Sequence, residues 1–297
     1  MALNDYLRDE ILEEADLGYI SQEEKDRQLA TFDGAKGGDR PEIYRTPVMS
    51  AQGSAAKNPL SAPDTDPKVV TTRVTANGYQ SDVFAYLAKP TEGAALPGVV
   101  VLHENKGLTP HIEDVTRRLA REGFVAIAPD LLSRRGGTSQ FSSPIDATSA
   151  LKTIRGYELD EDLNAVISLL ACDANVDPEK IGVIGFCFGG GVAWRLVTKD
   201  PRIKAAVPFY GVNPPIKYVP EITASVLAIY GELDDRINSG IDEITAAMEL
   251  SNKTFEKIIY PGARHAFHND TNPDRYHPEA ARQAWQQALA WLRRWLN

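Results

Sequence analysis

The chain has 297 residues, 43% of them hydrophobic, and a net charge of −9. That apolar content suffices for one large domain with an appendage, and the acidic balance argues against nucleic acid or an anionic membrane surface as a partner. No run approaches the ~18 apolar residues of a membrane-spanning helix, and the acidic start from Met1 to Glu10 lacks the apolar stretch of a secretory signal.

Residues 3–32 are expected to be helical, with Leu3, Leu7, Ile11 and Leu12 on one face and a capping box from Ser21 to Glu24. Residues 33–66 are rich in Gly, Ser, Ala, Pro and Asp and read as an extended arm. So long a stretch without elements is expected to wrap the body or a partner. Residues 1–66 are therefore set apart as a helical and extended appendage, a candidate for contacts in a homo-oligomer, and 67–297 as the main domain. There, strands are expected at 69–76, 82–88, 98–103, 124–128, 181–184, 204–209, 225–230 and 255–260. Helices are expected at 111–122, 158–172, 188–199, 239–250 and 278–296, the last with Ala281, Trp285, Ala288, Leu292 and Trp295 on one face. Such alternation predicts an α/β fold, a mostly parallel sheet of about eight strands with helices on both faces and an antiparallel edge at the first two. Sites then belong at the carboxyl ends of the strands. Residues 129–157 are where a lid would be inserted, and their shortness predicts an open or shallowly covered cleft.

Three strand ends carry the chemistry. The apolar run Lys180–Ile184 leads into Gly185-Phe186-Cys187-Phe188-Gly189, and a helix-forming segment follows. This is the nucleophile-elbow pattern of α/β-hydrolases with cysteine in place of serine. Side chains at Gly185 and Gly189 would collide with the neighbouring strand and helix. At a helix N-terminus, Cys187 is favoured as a thiolate. The strand 225–230 runs into Gly231-Glu232-Leu233-Asp234-Asp235, where Asp234 is the chosen acid and Asp235 the alternative. The strand 255–260 ends in Pro261-Gly262-Ala263-Arg264-His265, with His265 the chosen base and His268 its rival on spacing; the plainer reading of His268 is a loop histidine lining the mouth. The order nucleophile, acid, histidine is the one this fold requires. An oxyanion hole would combine the backbone N–H of Phe188 with that of Asn105, in the loop His103-Glu104-Asn105-Lys106-Gly107-Leu108 after an earlier strand. Glu104 sits at that strand tip, facing the same crevice. Of the two cysteines, Cys172 is expected to pack, and a thiol enzyme needs a reducing compartment, so a cytoplasmic location is expected. No C-x-x-C or H-E-x-x-H spacing occurs, so neither a metal nor a cofactor is expected.

With these motifs in hand, the chain resembles the dienelactone hydrolase family of α/β-hydrolases, the carboxymethylenebutenolidase-like enzymes. The resemblance is carried by His103–Leu108, Ala128–Arg134, Gly185–Gly190, the Gly231–Asp234 turn and Pro261–Phe267, spread over residues 68–297. It implies a Cys-Asp-His triad at Cys187, Asp234 and His265, and hydrolysis of esters or lactones through a thioester acyl-enzyme. It also implies that Glu104 helps to convert the thiol to thiolate, and that Arg134 binds a substrate carboxylate. Two departures stand out. Members that open dienelactones carry a second arginine four residues after the histidine, where this chain has Asn269, and compact members lack the N-terminal extension. Two other classes stay open on the sequence: a thiol-dependent acyltransferase or thioesterase, and a non-catalytic interaction protein on the same scaffold.

Overall fold

The computed structural model describes residues 60–78 and 80–297. The helical calls within 1–32 and most of the arm lie outside the described residues. Eight strands form one sheet: β1 (Val69–Ala76), β2 (Val83–Pro90), β3 (Leu96–Leu102), β4 (Val125–Pro129), β5 (Val176–Phe186), β6 (Ile203–Phe209), β7 (Ser225–Gly231) and β8 (Phe255–Tyr260). Their order is β1-β2-β4-β3-β5-β6-β7-β8. Only β2 runs against its neighbours, pairing antiparallel with both β1 and β4, so β1 points the same way as the parallel strands. The α-helices are α1 (Pro110–Arg121), α2 (Pro144–Leu151), α3 (Gly156–Ala171), α4 (Phe188–Lys199), α5 (Asp235–Asn238), α6 (Ile241–Leu250) and α7 (Pro278–Leu296).

The central strands are buried on both faces, which is why β3 reads as an unbroken apolar run rather than an alternating one. Its residues divide between two cores. Val100 and Leu102 pack on the side of α3, α4 and α6, while Val99 and Val101 pack on the side of α1 and α7. On α7 the expected stripe is realised, with Ala281, Ala288 and Leu292 fully buried and Trp285 nearly so. Each large apolar side chain removed from water contributes about 1.5–3 kcal/mol. Residues 61–66 lie along α1: the Ala62 N–H donates to Asp114 Oδ1 at 2.6 Å, and Arg121 pairs with Asp66 at 3.0 Å.

After β3 the chain first adds β4 on one side, then returns to place β5 on the other. This reversal opens a crevice at the carboxyl ends of β3 and β5, where open α/β sheets bind their ligands. Helix α2 was not expected. It begins where Ser143 accepts a hydrogen bond from the Asp146 N–H, with Pro144 in the first turn, and it covers one side of that crevice.

Candidate active site

Cys187 stands between β5 and α4 with φ 56° and ψ −114°, a left-handed conformation that costs a non-glycine residue about 1–3 kcal/mol. The surroundings enforce it. The Cys187 N–H donates to the Phe209 carbonyl at 3.0 Å, and its own carbonyl accepts from Gly190 at 3.0 Å and Gly191 at 3.2 Å. A Cβ on Gly185 would lie 2.0 Å from the Gly189 carbonyl oxygen, and one on Gly189 would lie 2.3 Å from that of Leu102. The two glycines are needed because backbone passes there at contact distance. The Gly189 N–H also donates to the His103 carbonyl at 3.0 Å, drawing the end of β3 against the Cys187 turn.

His265 lies between the other two chosen residues. Its Nδ1 is 2.5 Å from Asp234 Oδ2 and its Nε2 is 3.0 Å from Cys187 Sγ. Burial works against a charged imidazole, but the bonds to Asp234 and Cys187 outweigh it, and His265 is pushed up to about 9. Asp234 is buried at the N-terminus of α5, whereas Asp235, the alternative, is exposed. His268 does not line the mouth. It is fully buried, stacked on Phe186 at 5.1 Å and close to Phe209 and Trp285, and burial holds it well below the usual histidine range.

A cavity of about 140 Å³ adjoins the sulfur, lined by Asn105, Phe188, Leu151 and Val212 among others. The Asn105 loop is pinned from three directions. The Leu131 N–H donates to His103 Nε2 at 3.0 Å, so the His103 proton sits on Nδ1 and is donated to the Glu104 carbonyl at 2.6 Å. The Thr138 hydroxyl accepts from the Leu108 N–H at 2.8 Å, and the Thr148 hydroxyl on α2 lies 2.8 Å from the Asn105 carbonyl. Two cationic side chains at this cavity, Lys152 and Arg236, are exposed. Tyr210 was also missed from sequence. It lines the cavity with φ 38°, its ring is 5.1 Å from that of His265, and burial followed by the charges of Glu104 and Cys187 pushes its hydroxyl well above the usual range. Nothing in Phe209-Tyr210-Gly211 signals this except its position at a strand end.

Glu104 is buried, and its Oε2 accepts from Asn269 Nδ2 at 2.5 Å. Arg134 is not brought to this site and does not line the cavity. Its Nε reaches both oxygens of Asp162 at 3.0 and 3.1 Å, and its Nη2 reaches Glu161 at 2.9 Å. Asp162 on α3 is almost completely buried and requires a counter-charge; burial pushes its carboxyl up and Arg134 draws it back. In place of the expected substrate carboxylate, this guanidinium faces the protein's own carboxylates. Cys172 is likewise corrected, because it caps α3 as an exposed thiol rather than packing inside; both cysteines are free. Among the described residues no cluster of His, Cys, Asp or Glu is arranged to hold a metal, and no helix is long and apolar enough to cross a membrane.

The dienelactone hydrolase family model matches residues 83–296. The chain belongs to the dienelactone hydrolase family. It is 32% identical to a protein of Methylorubrum extorquens assigned as a carboxymethylenebutenolidase, over 71% of this chain and 76% of the relative. A Bradyrhizobium protein assigned as a 2-oxo-3-(5-oxofuran-2-ylidene)propanoate lactonase is 34% identical over 70% of this chain and 88% of its own. The crystal structure of a protein assigned as a dienelactone hydrolase from Klebsiella pneumoniae superposes with a TM-score of 0.71 at 30% identity, covering 76% of this chain and 99% of that one. Membership makes this chain a carboxylic ester or lactone hydrolase in the α/β-hydrolase fold.

Proposed function

We propose that the chain hydrolyses activated carboxylic esters or lactones by covalent catalysis at Cys187, with His265 as proton carrier and Asp234 as its orienting acid. The observation that carries this reading is the single imidazole within hydrogen-bond reach of both a buried carboxylate and a cysteine held in a left-handed turn at a cavity. In the first half-reaction the Cys187 thiolate adds to the carbonyl carbon and the carbonyl oxygen takes the electron pair. The backbone N–H groups of Asn105 and Phe188 receive that oxyanion. The carbon–oxygen bond to the leaving group then breaks, and the His265 imidazolium donates its proton to the departing alkoxide or enolate. Once sulfur is acylated, the imidazolium has lost one of the two partners that raise it, so the proton leaves readily at this step. In the second half-reaction neutral His265 takes a proton from water, hydroxide adds to the thioester, and the thiolate departs.

Thioester formation suits substrates whose leaving group is stabilised, such as enol lactones and aryl esters, rather than amides. Glu104, buried just after β3, enters this reading as the carboxylate that helps to convert the thiol to thiolate when substrate arrives. A nucleophilic thiol also requires a reducing compartment, which fits the cytoplasm. The test is a panel of lactones and p-nitrophenyl esters assayed with wild type and Cys187→Ala. Turnover should fall by on the order of a thousandfold or more in a folded variant. Unchanged turnover would remove Cys187 from the reaction.

A further inference from the structure

The residue that follows His265 is held in a strained conformation. Ala266 has φ 63°, in the left-handed region that a side chain makes costly, so its surroundings must enforce it. Two backbone bonds close the turn locally: the Asn269 N–H donates to the Ala266 carbonyl at 3.1 Å, and the His277 N–H to the Phe267 carbonyl at 3.0 Å. The far end of the turn is tied to α1 by side chains. Arg118 Nη2 donates to Asp270 Oδ2 at 2.8 Å, and His111 Nδ1 lies 2.9 Å from Asp270 Oδ1. Arg118 and His111 are both buried, where a charge-assisted bond is strong and a missing partner is costly.

The anchor continues beyond α1. Arg118 Nε also donates to Asp114 Oδ2 at 2.9 Å, and the other oxygen of Asp114 accepts from the Ala62 N–H at 2.6 Å. The Ala62 carbonyl accepts in turn from Arg117 Nε at 2.6 Å. Ala62 is fully buried, and it precedes residues 83–296, the stretch that the family model matches. One run of charge-assisted bonds therefore joins the segment before β1, helix α1 and the turn that carries His265.

We infer that Asp270, anchored by Arg118 and His111, is a positioning residue for His265, and that the anchor extends through Asp114 to Ala62, so that a segment outside the family-matched stretch supports the active site. The inference rests on the reading of His265 as the proton carrier for Cys187. His265 must keep Nδ1 at 2.5 Å from Asp234 and Nε2 at 3.0 Å from Cys187 at the same time. A turn released at Asp270 lets Ala266 relax toward ordinary backbone angles, and the imidazole one residue earlier shifts off its two partners. A misplacement of this kind costs rate. It also shows in the imidazole itself, because the bonds to Asp234 and Cys187 are what push His265 up to about 9. The titratable groups facing Asp270 are Arg118, His111, His268 and Tyr276, and those facing His265 are Asp234, Cys187 and Tyr210. All of them remain in the Asp270 variants below.

The experiment measures kcat and KM for p-nitrophenyl acetate, and the NMR titration midpoint of His265, in the full chain. Asp270→Ala should lower kcat by on the order of tenfold with KM little altered, and should lower the His265 midpoint by about one unit. Asp270→Asn loses the same charge but keeps an acceptor for Arg118, so it should recover most of both. Asp114→Ala should act in the same direction as Asp270→Ala by less, and in the Asp270→Ala background it should add nothing. His111→Phe removes one anchor without leaving Arg118 unpaired; it keeps the test open if Asp270→Ala does not fold, and kcat should fall several-fold. Wild-type kcat and midpoint in Asp270→Ala or in His111→Phe overturn the inference. Equal losses in Asp270→Asn and Asp270→Ala overturn it too, since they would report charge and not anchorage. An Asp114→Ala effect that is absent, or that adds in full in the double variant, overturns the extension to Ala62. Retained hydrolysis in Cys187→Ala, by contrast, overturns the reading of the triad and is scored by a different assay.

Discussion

Two groups of charged residues sit near the carboxyl ends of the central strands, and they are built in opposite ways. After β4, Arg134 meets Asp162 and Glu161 across 2.9–3.1 Å: Asp162 is buried, the Arg134 side chain is only 5% exposed, and their charges are directed at each other. After β5, β7 and β8, Cys187, Asp234 and His265 form a line that is closed at the carboxylate end and open at the sulfur, which borders a cavity. The first arrangement turns its charges on the protein itself and does not border the cavity. The second keeps one member in a costly backbone conformation and leaves it facing a cavity.

The comparison breaks first at Asp234. Asp234→Asn should lower kcat for p-nitrophenyl esters by on the order of a thousandfold or more, through loss of the correctly oriented imidazole, while the exposed Asp235→Asn stays close to wild type. The reverse ranking in a hydrolysis assay would move the acid to Asp235. The same contact governs proton affinity. NMR titration of His265 should give a midpoint near 9 in wild type and lower values in Asp234→Asn and in Cys187→Ala, since each removes a group that favours the charged ring. Because this folded value lies above the unfolded one of about 6.5, the associated stability is present in full below about pH 6.5 and is lost as pH rises through about 9. A wild-type midpoint near 6.5 would mean that the hydrogen bonds do not form in solution.

Arg134→Ala tests the closed cluster. It leaves Asp162 buried without its partner, so the expected result is destabilisation of about 3 kcal/mol by urea unfolding. The ratio of kcat/KM for anionic to neutral esters should not change. A selective loss on anionic substrates would return Arg134 to the binding site. The smallest effect is expected at Thr148→Val, which removes the hydroxyl 2.8 Å from the Asn105 carbonyl. About 1 kcal/mol of support for the Asn105 loop corresponds to a several-fold fall in kcat, with KM little altered. No change in kcat would show that His103 and Thr138 hold the loop unaided.

The contrast also explains what could be read from the chain without coordinates. Cys187, Asp234 and His265 each follow an apolar strand directly, so local pattern and chain order placed them within a few residues of one another in space. Arg134 follows a strand too, but its partners are Glu161 and Asp162, some 27 and 28 positions on, and no local pattern reports that helix α3 turns those carboxylates toward it. Asn269 stands where the resembled enzymes carry an arginine, and its bond to Glu104 reaches back 165 positions, beyond any local pattern. Helix α2 carries the start signals Ser143-Pro144 and Asp146, but its two turns hold too little periodicity to read as a helix. Strand β5 begins at Val176, earlier than expected, since Pro178 disguised its first residues as a turn.

The most direct measurement is of the acyl-enzyme itself. Wild-type protein mixed with excess p-nitrophenyl acetate, quenched with acid within the first turnovers and digested, should show one acetyl group on the peptide that carries Cys187. His265→Ala should accumulate far less of it in the same time, and Cys187→Ala none. Acetyl found on a different residue in wild type, with hydrolysis intact in Cys187→Ala, would contradict the account.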